Sequence, residues 1–181
     1  DLYHLLYDPD WLRLAHDDVA QNAGSVTAGC DGVTMDRVDE ALEANLQQLA
    51  QELKSETFEP TPVRRVYIPK PHGKVRPLGI PAIKDRIVQE AVRRILEPIF
   101  EADFSPYSFG FRPIRCTMEA IKCITWSTQE GKKFFWVIEG DISSYFDSIH
   151  HPKLLRLVGQ RVKDGKLLTL LWKFLRAGVM E

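Results

Sequence analysis

No apolar run in this chain approaches the roughly 18 residues that a membrane-spanning helix needs, and no leader pattern of charge followed by a short apolar stretch is present. The expectation is a cytoplasmic protein with no membrane partner. Cysteine is scarce: Cys30, Cys116 and Cys123 are the only three, and none stands in a Cys-x-x-Cys pairing. An odd count without ligand spacing argues against a zinc site or a disulfide framework and for reduced thiols. His150 and His151 are adjacent, and adjacent side chains point apart on most backbones, so a turn or helix start before Pro152 is expected there rather than a metal pair. No internal repeat or low-complexity tract occurs, and the first residue is not Met, which suggests a piece of a longer protein. Only one Asp-Asp pair exists, Asp17-Asp18, following His16 in a predicted helix, and it reads as solvated surface.

With 181 residues and 44% hydrophobic content the chain can bury a sizeable core. Its formal charge of −1 argues at first against a nucleic-acid partner. The average hides a split. Residues 1–59 carry 13 Asp and Glu against 3 Lys and Arg, whereas residues 60–181 carry 12 against 21. Within 62–94 nine basic residues face only Asp85 and Glu90, a local patch suited to phosphates and to salt-dependent binding. Arg93 and Arg94 read as a solvated helical face, Lys70 and Arg76 less so because they flank a tight turn.

Periodicity predicts an α+β fold. Val38, Leu42, Leu46, Leu49 and Leu53 recur at helical spacing, and Ile87, Ala91, Ile95 and Ile99 mark a second helix that Pro98 should kink or end. A third helix is expected over about 117–129, with Gly131 as its stop, a fourth from Pro152 and a fifth over 166–177, closing at Gly178. Tyr67-Ile68-Pro69-Lys70 and Lys74-Val75-Arg76-Pro77-Leu78-Gly79-Ile80-Pro81 are short extended runs around Pro71-His72-Gly73, a hairpin signal with charge at its tip. Residues 104–115 mix aromatic rings, glycine and arginine in a loop.

The run Phe134-Phe135-Trp136-Val137-Ile138 reads as a buried strand that delivers Asp141 at its carboxyl end, within Asp141-Ile142-Ser143-Ser144-Tyr145-Phe146-Asp147. A carboxylate there can hold Mg²⁺, a hard cation that takes one or two carboxylates plus phosphate oxygens and water, and the Ile142 carbonyl can add a second oxygen. The alternative is that Asp141 caps the turn after the strand. Lys70 and Arg76, bracketing the hairpin, could grip a triphosphate, Arg by paired hydrogen bonds and Lys as a point charge.

The order of these elements, from the Lys-Gly-like hairpin through Ser108-Phe109-Gly110-Phe111-Arg112-Pro113 to Asp141-Ile142…Phe146-Asp147, resembles the fingers and upper palm of group II intron-encoded reverse transcriptases of the maturase type. Residues 22–34 also look like the block this family places before its fingers, so the resemblance covers nearly the whole chain. Two departures stand out. Family members commonly have Gly-Arg-Ser where this chain has Ile114-Arg115-Cys116, and the family's second metal motif, an aromatic residue, any residue and Asp-Asp, does not occur among these residues.

The resemblance implies the fingers and partial palm of a right-hand polymerase, divided as 1–60 (N-terminal extension and helical start of the fingers), 61–132 (fingers) and 133–181 (first part of the palm), with the chain ending before the Asp-Asp motif. It implies RNA-directed DNA synthesis with two Mg²⁺ ions in the complete site and Asp141 as catalytic metal ligand beside the Ile142 carbonyl. Lys70, Arg76, Ile142 and Phe146 would contact the nucleotide, Phe146 as a steric gate against a 2′-hydroxyl. Ile80, Arg86, Phe109 and Arg112 would lie near the template; Ile80, Phe109 and Phe146 could also be ordinary core. The implied partners are an intron RNA template, a DNA or RNA primer and deoxynucleoside triphosphates. An unfinished palm sheet would leave an open edge, so self-association is expected, and half of a metal site should be inactive by itself. The alternatives are a non-catalytic RNA-binding splicing factor, or a reverse transcriptase of another bacterial retroelement or CRISPR-associated system.

Overall fold

The computed structural model describes residues 1–181 except Lys70, Lys74, Glu130, Lys132, Lys133, Phe135, Glu181 and the side chain of His72. The chain forms two compact units, one of residues 1–96 with 150–181 and one of residues 97–149.

The first unit is built from helices over a small sheet. Helix α1 (Pro9–Gln21) starts where the Asp8 side chain accepts the N–H groups of Asp10 and Trp11, with Pro9 at the first helical position. Helices α2 (Met35–Asp39) and α3 (Leu42–Lys54) divide what periodicity joins. The break falls at Ala41, and the Asn45 side chain donates to the Val38 carbonyl at 2.8 Å, replacing the partner that a continuous helix would have supplied. Strands β1 (Val63–Pro69) and β2 (Val75–Ile80) form the expected antiparallel hairpin, with Gly73 at φ 71° in its turn, a conformation that favours glycine. Helix α4 (Ile83–Glu101) follows, and then, after the second unit, α6 (His151–Arg161), α7 (Gly165–Arg176) and β3 (Val179–Met180). Strand β3 pairs parallel with β1, giving the order β2-β1-β3, a pairing between residues 63–64 and 179–180 that sequence pattern did not announce.

The core of this unit joins Leu6, Leu12, Leu53, Phe58, Ile83, Ile87, Val88 and Leu167, all almost wholly buried. Asp164 ties the ends of the chain together: one carboxylate oxygen accepts Leu2 and Tyr3 N–H at 2.7 and 2.8 Å, and the other accepts Lys166 and Leu167 N–H at the start of α7. Pro98 does not end α4 at its own position. Its missing N–H removes one amide bond in the last turn, and the helix ends three residues later at Glu101. Asp18, expected to be solvated, accepts two hydrogen bonds from Arg94, and Arg93 pairs with Glu90, so neither arginine is a bare solvated charge.

The second unit holds the end of α4, helix α5 (Thr117–Ser127) and long irregular segments, and none of its described residues is buried. The buried strand expected at 134–138 is not formed. Residues 134 and 136–142 have no regular structure, and Trp136 and Ile138 are 92% and 97% exposed; Phe135 lies outside the described residues. The physical reason is pairing: a strand needs a neighbour for its N–H and C=O groups, and this unit has no other strand among its described residues. Among the described residues no helix is long and apolar enough to cross a membrane.

Candidate polymerase site

In the first unit the hairpin sets the backbone of the nucleotide-binding candidates. Arg76 is exposed on β2 opposite Ile68, and Ile80 is half-buried at the end of the same strand opposite Arg64. Lys70 lies outside the described residues.

Arg86, one turn into α4, is bonded through all three of its nitrogens. Its Nε donates to the Pro81 carbonyl at 2.9 Å, Nη1 to Gly24 at 2.8 Å and Nη2 to Thr27 at 2.5 Å. Burial pulls its pKa below the ordinary arginine value, with Asp31 opposing that shift and Arg64 adding to it. Close by in sequence, Asp85 is 1% exposed and its Oδ2 accepts both the N–H and the hydroxyl of Thr61, while Oδ1 has no partner. Burial raises the Asp85 pKa despite those two bonds.

In the second unit Arg112 organises the loop before α5. Nε and Nη2 grip Glu101, Nη1 donates to the carbonyls of Ser105 and Ser108 at 2.7 and 2.8 Å, and the guanidinium lies 5.2 Å from the Phe104 ring centre. The hydrogen bond to Arg112 holds the Glu101 carboxyl below its usual range, and the same bond raises Arg112. Phe109 is half-buried, with Arg115 5.9 Å from its ring centre. Phe111 and Ile114 both have left-handed backbones, at φ 55° and 61°, the latter uncommon for a β-branched residue.

Asp141 is exposed, and its Oδ1 accepts the Ile142 N–H at 2.9 Å. Ser144 turns the chain at φ 50°, and Phe146 follows in a 3-10 turn, 77% exposed, its ring 5.2 Å from that of Tyr145. Among the described residues no group of three or more His, Cys, Asp or Glu side chains could hold a metal. Asp141 is thus a hard oxygen donor of the kind Mg²⁺ takes, but only one share of a complete donor set. The structure groups Arg76, Ile80 and Arg86 in the first unit and Phe109, Arg112, Asp141, Ile142 and Phe146 in the second. The carbonyls under Arg86 escaped sequence reading because backbone acceptors leave no mark in residue identity, and Glu101 because its partner Arg112 lies eleven residues away across an irregular loop.

Residues 68–180 match the reverse transcriptase (RNA-dependent DNA polymerase) family. The chain belongs to that family. Its relatives include group II intron-encoded protein LtrA of Lactococcus lactis, 41% identical over 99% of this chain and 29% of that protein. Protein YkfC of Escherichia coli (strain K12) is 46% identical over 99% of this chain and 48% of its own length. Nuclear intron maturase 1 of Arabidopsis thaliana is 38% identical over 55% of this chain. The chain spans about half or less of the length of these curated relatives.

Proposed function

We propose that this chain is the N-terminal block, fingers and first part of the palm of a group II intron reverse transcriptase that copies RNA into DNA. The observation that carries the reading is Asp141-Ile142…Phe146-Asp147 lying inside the matched reverse transcriptase region, downstream of a basic hairpin. Two Mg²⁺ ions, when bound, would neutralise phosphate charge and align the attacking and leaving oxygens. Asp141 and the Ile142 carbonyl would hold one share of that site, its remaining carboxylates coming from an Asp-Asp motif that these residues lack.

Lys70 and Arg76 would hold the triphosphate. Phe146 would exclude a 2′-hydroxyl, and replacing it with Ala or Val should raise ribonucleotide incorporation. Ile80, Arg86, Phe109 and Arg112 would lie near the template. Losing Arg76 removes charged hydrogen bonds of about 1.5–3 kcal/mol each, roughly tenfold or more in nucleotide affinity.

Intron RNA binding and help with splicing are proposed as a second activity of the same basic surface, supported by the intron-encoded and maturase relatives. The test is primer extension on an RNA template by the intact protein carrying this chain, with Mg²⁺ and deoxynucleotides. The 181-residue chain alone should not extend a primer. Tight intron RNA binding by an intact protein that cannot synthesise DNA would favour a splicing factor instead.

A further inference from the structure

Residues 22–34 contain almost no regular structure before α2, yet part of this segment is tied by side chains to β1 and α4. Arg86 ties its Gly24 and Thr27 carbonyls to the start of α4, and Arg64 Nη2 on β1 donates to the Ala28 carbonyl at 2.8 Å. Gly29 then passes so close to the turn between β2 and α4 that a Cβ there would lie 2.6 Å from Ala82 Cα and N. The segment is a strap across residues 81–82, next to Ile80 in the chain, fixed by two arginines and one close backbone crossing.

Arg86 reaches three carbonyls belonging to three different residues, one within the turn itself and two on the strap. A planar guanidinium can serve all three at once, whereas an ammonium on a flexible stem cannot match that geometry. With all three of its nitrogens so engaged, and partly withdrawn from water, Arg86 is poorly placed to serve as a free cation for template phosphates.

We propose that Arg86 is a positioning residue: it fastens the 24–28 strap over the β2–α4 turn and thereby fixes where Ile80 meets the template strand. The proposal rests on the template-contacting role of Ile80 given above. It departs from a direct template contact by Arg86 in one testable respect: charge alone should not substitute.

The experiment compares wild type, Arg86→Lys and Gly29→Ala in the 181-residue chain. Amide hydrogen exchange is followed over 22–31 and over α3 and α7, and affinity for a labelled RNA template annealed to a DNA primer is read by fluorescence anisotropy. Arg86→Lys keeps the charge, and Gly29→Ala leaves Arg86 untouched while displacing the strap. Both should speed exchange over 22–31 by about tenfold or more, with α3 and α7 unchanged. Both should also weaken template binding by a similar factor. Arg86→Lys exchanging and binding like wild type would overturn the proposal, as would Gly29→Ala loosening the strap with template affinity intact. If wild type fails to bind the primer-template, the template-contacting reading of Ile80 fails, and unchanged strap exchange in Arg86→Lys would separately overturn the clamp.

Discussion

Single side chains with long-range partners decide much of this molecule. Asp164 is the clearest case. Burial works against its charge, but N–H bonds from Tyr3, Leu167, Leu2 and Lys166 outweigh it and hold its pKa below the usual value. Its folded pKa is depressed, so its contribution is present above the unfolded value of about 3.9 and is lost as pH falls through the folded one. Asp164→Ala should cost about 0.5–2 kcal/mol as a lost cap, measured by urea unfolding at neutral pH, and the penalty should shrink in acid. Asp85 has the opposite sign. Its raised pKa means a contribution fully present below the unfolded value and lost as pH rises through the folded one. Asp85→Asn should therefore flatten the fall in stability above about pH 4 while keeping an acceptor for Thr61; an unchanged pH profile would contradict this. Asp141, Arg76 and Phe146 stand out in the sequence because their motif is local. The partners of Arg86 and Asp164 do not, since most are backbone groups dozens of residues away.

Elements formed where short-range signals agreed with packing. The hairpin, α4 and α7 follow their turn residues and apolar spacing, and each contributes to the first unit. The 134–138 run shows the limit of such reading: strong β propensity predicts a strand, but propensity needs a neighbouring strand to satisfy it. The short β3 was missed for the converse reason, being only two residues long and defined entirely by its pairing with β1. The loop before α5 carries a correctable strain. Ile114 has φ 61°, a conformation that favours glycine, and Cys116 stands at the N-cap of α5, a position that favours serine. Ile114→Gly should relieve about 1–2 kcal/mol of left-handed strain, and Cys116→Ser should add a better cap acceptor. The measurement is amide exchange over 112–127, which should slow in the double variant; faster exchange would show that the Ile114 side chain stabilises the loop more than its backbone strains it.

The whole molecule is unevenly built. The first unit has a packed core, whereas the second has no buried residue among those described and exposes Phe111, Trp136 and Ile138. Exposed apolar surface of this kind favours association. The 181-residue chain should sediment with a concentration-dependent increase in mass, and a strictly monomeric profile at high concentration would contradict that expectation. The charge split belongs to this scale too: an acidic first third and a basic remainder should make RNA binding fall steeply with salt, despite the overall charge of −1. The most direct test of function is primer extension on RNA by the intact protein carrying this chain, with Mg²⁺ and deoxynucleotides, beside its Asp141→Asn variant. Synthesis by the parent and its loss in the variant, with RNA binding retained, is the expected result; equal synthesis by both would show that Asp141 is not the metal-holding carboxylate.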